Sequence, residues 1–153
     1  DAVAAYSTFM ASFPASERRC LLSHSMGGGP MLFAATRPSA HPDCVVVASP
    51  FGSLKAMAVA GGMPKLLALV TSDPWDNVKA AAALKAPMLW VHSQADTTIP
   101  IASGRTVFDA KTGVKGAVVI RGFKHDAIYE VTPPAIWTPV DAFILTGALP
   151  PAH

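Results

Sequence analysis

Short apolar runs alternate with longer stretches of mixed character along the whole chain. Four of these runs contain no Lys, Arg, Asp or Glu, namely Cys20–His24, Val45–Ala48, Met88–His92 and Ala117–Ile120. The run Val45–Ala48 is uniformly apolar, which is typical of a strand that is covered on both faces of a parallel sheet. Together, the four runs predict four strands.

Helical signals fill the intervals between the predicted strands. Apolar residues recur at helical spacing over residues 2–13, and Pro14 ends that helix. Asp73 and Thr138 each precede a proline, which is the form of an N-cap followed by a first-turn proline. Further helices are predicted over Met31–Thr36, twice within 53–72, from Asp73-Pro74 to about Leu84, from Pro100 to about Ala110, and from Thr138-Pro139 through Thr146. The alternation predicts one α/β domain, a mostly parallel sheet with helices on both faces.

The first predicted strand runs directly into a serine surrounded by small residues. The segment reads Ser23-His24-Ser25-Met26-Gly27, an S-x-S-x-G form of the G-x-S-x-G nucleophile elbow. The turn is tight, so the positions two before and two after the nucleophile must be small. The alternative is a simple Ser/Gly loop between two elements, because a five-residue match also occurs by chance.

Two further reactive side chains follow later strands. Ser25 follows the first strand, Asp96 the third and His125 the fourth, and the carboxyl ends of parallel strands meet at one edge of a sheet. A serine hydroxyl is a weak nucleophile unless a histidine accepts its proton and a carboxylate orients that histidine. The order Ser, Asp, His is the one expected for an elbow on a doubly wound sheet.

Three segments together resemble the α/β-hydrolase superfamily. His24-Ser25-Met26-Gly27-Gly28 resembles its H-S-M-G-G elbow, the segment from His92 to Pro100 its H-G-x-x-D-x-x-V-P acid loop, and Gly122–His125 its G-x-x-H loop. The chain is most similar to the esterase/lipase and serine-aminopeptidase-like branch, with some likeness to cutinases. The resemblance implies Ser25 as nucleophile, His125 as general base and then acid, Asp96 as orienting acid, and the backbone N–H of Met26 as one oxyanion-hole donor.

The resemblance also implies an activity, without a metal or an organic cofactor. It predicts cleavage of a small-molecule carboxylic ester through an acyl-enzyme. A serine peptidase or a thioesterase on the same triad, and a non-catalytic hydrolase-fold binding module, remain as alternatives. Apolar side chains within 53–72, with Trp75, are candidates for an acyl pocket, although most of them are expected to be ordinary packing residues.

Other polar residues fit the triad less well. Asp126 adjoins His125 in sequence and would have difficulty turning onto its ring; the other carboxylates set aside are Asp73 and Asp109, in predicted helices, and Asp43, which precedes a strand. The two histidines at strand ends, His24 and His92, are predicted to be structural, and His41 to lie in a surface loop. Ser23 and Ser93 stand where the superfamily usually has glycine, which leaves the catalytic groups unchanged.

The superfamily carries several strands before its elbow strand, whereas a helix stands there in this chain. We therefore expect residues 1–149 to be the carboxyl-terminal portion of one hydrolase domain without its amino-terminal strands. The missing portion, including the second oxyanion-hole donor, is then a candidate partner. A short helical insert is expected at about 53–75 and a loose tail at 150–153.

Composition and charge bear on two further kinds of partner, nucleic acid and the membrane. Half of the residues are hydrophobic and the net charge is +2 without a Lys/Arg block, so nucleic acid is not an expected partner. No apolar run reaches membrane-spanning length.

Cys20 and Cys44 each begin an apolar run. The sequence favours two reduced thiols there, and permits a disulfide if the two strands are neighbours.

Overall fold

A parallel four-stranded sheet is the centre of the molecule. The computed structural model describes residues 1–14, 17–39, 41–70, 72–126 and 134–151. Its strands are β1 (Cys20–His24), β2 (Cys44–Ala48), β3 (Met88–Ser93) and β4 (Lys115–Ile120), and they lie side by side in chain order. Every neighbouring pair is parallel. The predicted strands and their orientation are confirmed, and β4 begins two residues earlier than expected.

Helices cover both faces of this sheet. The described helices are α1 (Ala2–Ser12), α2 (Gly28–Ala35), α3 (Leu54–Ala60), α4 (Lys65–Val70), α5 (Asn77–Ala83), α6 (Ile101–Ala110) and α7 (Pro134–Thr146). Crossovers between parallel strands are almost always right-handed. Because the strands lie in sequential order, right-handed crossovers bring α2, α5 and α6 to the same face of the sheet. Helix α7 covers the opposite face.

The alternation of side chains along the strands divides the core into two layers. Val45, Val47 and Trp90 point to the face covered by α2, α5 and α6, which we call the three-helix face. Their neighbours Val46 and Val91 point to the other face, where Val140 and Phe143 of α7 cover them. All side chains of β2 are buried, as its uniformly apolar pattern predicted, and those of β3 are buried as well. Helix α1 packs beside α2 through Tyr6.

Two helix starts differ from the prediction. Helix α5 is capped by Asp76, whose carboxylate accepts a hydrogen bond from Lys79 N, rather than by Asp73. Helix α7 begins at Pro134, so that Thr138 is not its N-cap and Pro139 lies inside it. Pro139 cannot donate a backbone hydrogen bond. Burial of Val140 and Phe143 against the sheet compensates for that loss, which a local cap signal cannot reveal.

The segment 53–72 forms two short helices, as predicted, but the leucines of the second helix are exposed. Ser53 caps α3, and Lys65–Val70 forms α4. Leu66, Leu67 and Leu69 are 78%, 51% and 75% exposed. These three leucines are therefore not buried in the core, whereas Leu54, Met57 and Met63 of the same segment are partly buried. Within the described part of the chain, no helix is both long enough and apolar enough to cross a membrane.

The two cysteines form a disulfide, which corrects the expectation of two reduced thiols. Cys20 and Cys44 are direct partners in the register of β1 and β2, and their Cα atoms are 4.6 Å apart. That separation lies within the range that a disulfide requires. The sequence alone could not decide this, because the neighbour of β1 in the sheet is a property of the tertiary structure.

We expect removal of this disulfide to destabilise the fold. It closes a loop between residues 24 apart in sequence, and cross-linking a loop of this size stabilises a protein by about 3 kcal/mol. Urea unfolding of the Cys20→Ala/Cys44→Ala variant should show a free energy of unfolding lower by about that amount. Equal stability of variant and parent, or two reactive thiols in the denatured parent protein without reductant, would contradict the prediction.

Candidate active site

The turn between β1 and α2 holds Ser25 in a strained conformation. Ser25 has a φ of 53°, in the left-handed region, directly after β1 ends at His24. Residues Ser25–Gly27 form a single 3-10 turn that continues into α2. A non-glycine residue in this region costs on the order of 1–3 kcal/mol, and such strain is concentrated at functional sites. A strained residue at the junction of a strand and a helix is the geometry expected for a nucleophile elbow.

Serine at position 23 fits this turn. A Cβ on Gly27 would lie 3.8 Å from the Cβ of Ser23, which is an ordinary van der Waals distance. The departure from the usual glycine therefore leaves the turn intact. The tighter position is Gly29, where a Cβ would lie 2.6 Å from the ring of Trp75. Trp75 thus packs against the first turn of α2. That turn follows Ser25 closely in the chain.

The structure brings the three predicted residues into one hydrogen-bonded chain. His125 Nε2 lies 2.8 Å from Ser25 Oγ, and His125 Nδ1 lies 2.7 Å from Asp96 Oδ2. The histidine is 100 residues from Ser25 and 29 residues from Asp96 in sequence. Both His125 and Asp96 are buried. With the carboxylate at Nδ1, that nitrogen carries the ring proton and Nε2 faces the serine hydroxyl as an acceptor.

The loop that follows β3 folds around its own carboxylate. Asp96 Oδ1 accepts hydrogen bonds from Thr98 N at 3.0 Å and from Ile99 N at 2.8 Å. Oδ2 is then free of these local bonds and faces His125. A short loop between a strand and a helix thereby fixes the position of the acid.

The pKa of Asp96 lies below its ordinary value, although burial alone would raise it. Hydrogen bonds from His125 and from the backbone of Ile99 stabilise the carboxylate, as does the positive charge that His125 can carry. These attractive contacts outweigh desolvation. Asp96 is therefore ionised at neutral pH, as an acid that orients a histidine must be.

A second histidine lies against the first. The rings of His24 and His125 have centroids 4.6 Å apart and an interplanar angle of 31°. Burial lowers the pKa of His24, and repulsion by a positively charged His125 lowers it further. His24 is thus neutral at neutral pH and forms one wall of the His125 site. His24 adjoins Ser25 in the sequence, but its contact with His125 depends on the tertiary structure.

Ser93, the second departure from the usual glycine, joins two loops of the site. Its hydroxyl donates a hydrogen bond to the carbonyl of Phe123, two residues before His125. It also accepts a hydrogen bond from Ala95 N at 3.2 Å. The loop carrying Asp96 and the loop carrying His125 are therefore tied to each other. The sequence signal for this role is a polar residue in place of glycine, which by itself does not predict the bond to Phe123.

The other carboxylates lie outside this arrangement. Asp109 pairs with Arg105 on the exposed side of α6, and Asp43 accepts a hydrogen bond from Arg19 N at the amino ends of the strands. Asp73 accepts from Lys55 N at 3.4 Å, while Asp126 is exposed. No group of three or more His, Cys, Asp or Glu side chains in the described ranges is arranged to hold a metal ion.

Met26, whose backbone N–H is predicted to be an oxyanion-hole donor, directly follows Ser25 in the chain. It is the second residue of the 3-10 turn, and its side chain is 59% exposed. Backbone N–H groups at the start of a helical segment have no acceptor within that segment. The N–H of Met26 is therefore positioned next to Ser25 without a helical partner, in the first turn before α2.

Solved structures with the same architecture are numerous, although their sequences differ. An acetyl xylan esterase from Paenibacillus sp. R4 is similar with a TM-score of 0.73 and 19% identity, over 94% of this chain and 50% of that chain. An esterase from Rhodococcus sp. ECU1013 has a TM-score of 0.69 and 14% identity, over 94% of this chain and 71% of that chain. An α/β hydrolase enzyme from the metagenome of Mar Chica lagoon sediments has a TM-score of 0.63 and 18% identity, over 92% and 67%.

These likenesses identify the fold. The chain has the α/β-hydrolase fold, with the parallel sheet and helices on both faces that its sequence predicted. It spans half the length of the Paenibacillus esterase. No model of a protein family matches the sequence, and no curated protein matches it either.

The lowered pKa of Asp96 predicts how stability depends on pH. Its folded pKa lies below the unfolded value of about 3.9, so the folded state binds fewer protons at this site. Its stabilising contribution is complete above the unfolded value and is lost as the pH falls through the folded pKa.

We expect the free energy of unfolding to fall more steeply below about pH 4 in the parent protein than in Asp96→Asn, which cannot titrate at this position. Urea unfolding at a series of pH values measures the two slopes. Asp109→Asn, at an exposed ion pair, is the matched control. Equal slopes for the parent protein and Asp96→Asn would be incompatible with a depressed pKa.

Proposed function

We propose that this chain carries the active site of a serine hydrolase that cleaves carboxylic esters through an acyl-enzyme on Ser25. The observation that carries the proposal is the hydrogen-bonded chain from Ser25 through His125 to Asp96, with distances of 2.8 and 2.7 Å. The left-handed backbone of Ser25 supports it, because strain of this kind is characteristic of a nucleophile elbow.

The proposed reaction begins with attack of Ser25 Oγ on the ester carbonyl carbon. As the new C–O bond forms, the hydroxyl proton passes to His125 Nε2 and the carbonyl π electrons move to its oxygen. Asp96 stabilises the resulting imidazolium through Nδ1. When the carbonyl re-forms, the bond to the alcohol breaks, and the alcohol takes the proton from His125. Ser25 then carries the acyl group.

The second half of the reaction repeats these transfers with water. Water gives a proton to His125 Nε2 as its oxygen attacks the acyl carbon, and collapse of the intermediate releases Ser25, which recovers the proton. A carboxylic acid leaves. The negative charge on the carbonyl oxygen develops next to the N–H of Met26, which is the proposed oxyanion donor. One such donor is worth on the order of 100- to 1000-fold in rate.

An ester is the proposed substrate class rather than an amide. The similar structures named above include two described as esterases, one of them an acetyl xylan esterase. The same serine, histidine and carboxylate chemistry also serves peptidases and thioesterases. Since the chain spans half the length of the Paenibacillus esterase, the activity is proposed for the protein to which these residues belong.

A fluorophosphonate probe provides the first test, because it reacts with serines that a neighbouring base activates. We expect one adduct, located on Ser25 by mass spectrometry, and no adduct in Ser25→Ala. Ser12→Ala is the matched control, since the Ser12 hydroxyl also makes a hydrogen bond at 2.8 Å, but to the carbonyl of Thr8 rather than to a base. A folded parent protein that is not labelled, or is labelled elsewhere, would exclude Ser25 as an activated nucleophile.

If Asp96 orients His125, its replacement by a neutral amide should lower the rate of catalysis. Asn at this position keeps the shape of the side chain but favours the wrong tautomer of His125, which cost about 10,000-fold in kcat in a serine protease. We expect a loss of that order for Asp96→Asn with p-nitrophenyl acetate, and little change for Asp126→Asn beside the same histidine. Similar losses in the two variants would mean that Asp96 is not the orienting acid.

A further inference from the structure

His92 is a buried histidine that the proposed reaction does not use. It lies near the carboxyl end of β3 and is 0% exposed. Its ring is on the three-helix face, 5.5 Å from the ring of Trp90 between centroids. A polar ring in such a position is stabilised only if its nitrogen atoms meet suitable partners.

One ring nitrogen of His92 reaches the far end of the acid loop. Nε2 lies 2.9 Å from the carbonyl oxygen of Ile99 and 3.6 Å from Asp96 Oδ2. A carbonyl accepts but cannot donate, so Nε2 carries the proton and donates it to Ile99. The same Nε2–H is then directed towards the Asp96 carboxylate as a second, longer electrostatic contact.

The residue that receives this hydrogen bond also holds the carboxylate. Ile99 donates its N–H to Asp96 Oδ1 at 2.8 Å and accepts from His92 through its carbonyl. The buried side chain of Ile99 anchors the same residue in the core. His92 and Asp96 are thus connected through Ile99, and the connection joins the end of β3 to the end of the acid loop.

The other side of the ring is closed by helix α6. A Cβ on Gly104 would lie 2.3 Å from His92 Nδ1 and 2.5 Å from Cε1, so the backbone of α6 is in direct contact with the ring. Nδ1 is buried and has no hydrogen-bond partner in the structure. A second proton on the ring would have no acceptor there. In agreement, burial lowers the pKa of His92.

We propose that His92 is a positioning residue for Asp96: as a neutral imidazole held between Gly104 and Ile99, it fixes the acid loop so that Oδ2 of Asp96 meets His125. This role rests on the proposed function of the site. A misplacement of about 1 Å at a catalytic group costs on the order of 100-fold in rate. His92 therefore acts on the reaction through Asp96, without contact with substrate.

The test compares two substitutions in the full chain. His92→Leu removes the donor and fills its space with an apolar side chain, whereas the side-chain amide introduced by His92→Gln can donate in place of Nε2–H. With p-nitrophenyl acetate we expect His92→Leu to lower kcat by about 10- to 100-fold with KM nearly unchanged, and His92→Gln to recover most of the loss. Val107→Ala, a fully buried change in the same helix as Gly104, controls for reduced stability.

A double-mutant cycle separates positioning from general packing. If His92 acts through Asp96, His92→Leu should lower kcat no further in an Asp96→Asn background. The same fold loss in both backgrounds would overturn the proposal, as would a kcat for His92→Leu no lower than that of Val107→Ala. Equal losses in His92→Leu and His92→Gln would also overturn it.

The His125 Nδ1 proton gives a readout that does not need activity. Its hydrogen bond to Asp96 should produce a low-field proton resonance, and we expect this resonance to shift or broaden in His92→Leu and to return in His92→Gln. If the parent protein shows the resonance but hydrolyses no ester, the proposed function fails while the positioning role is still decided by this measurement. An unchanged resonance in His92→Leu would refute the positioning role.

Discussion

The parallel direction of all four strands is the constraint on which the site depends. Because every strand runs the same way, Ser25, Asp96 and the loop leading to His125 leave the sheet at one edge. In a parallel sheet this edge collects the groups that follow each strand, whatever their separation along the chain. Residues 100 positions apart thereby come within 2.8 Å of each other. The helices that enforce the parallel direction also bury both faces of β2 and β3, so the platform beneath the site is rigid.

Several features of the site are unfavourable in free energy, and interactions with the rest of the fold compensate for them. Three kinds of feature are unfavourable in isolation: the left-handed backbone of Ser25, the buried carboxylate of Asp96, and the buried or half-buried rings of His92 and His24. The carboxylate is stabilised by Thr98, Ile99 and His125, and the serine by the sheet and helix that fix both ends of its turn. This explains why the pKa of Asp96 is lowered despite its burial. Such an arrangement is maintained only by a well-packed surrounding structure, as in the two apolar layers here.

The two serines that replace glycine illustrate how a fold persists at 14–19% identity to its structural neighbours. Ser23 is tolerated because the turn is not crowded there: even a Cβ on Gly27 would lie at an ordinary van der Waals distance from the Cβ of Ser23. Ser93 goes further and ties the acid loop to the loop of His125. Glycine at such a motif position therefore indicates that the side chain must be small. Serine is small enough to fit there, and its hydroxyl can form an additional hydrogen bond. The leucines of α4 are exposed, so their apolar character alone did not indicate burial.

The residues of the chain were enough to predict the strands, their parallel arrangement and the three side chains that meet at the site. These follow from local signals: uniformly apolar runs, their alternation with helices, and reactive side chains directly after strand ends. The tertiary structure decided what depends on neighbours that are distant in sequence. Examples are the pairing of Cys20 with Cys44, the stacking of His24 on His125, and the start of α7 at Pro134 despite Pro139 inside the helix. The reason is physical: a strand or helix is favoured by its own residues, whereas a disulfide, a ring contact or an overridden cap is favoured by the energy of packing against other parts of the chain.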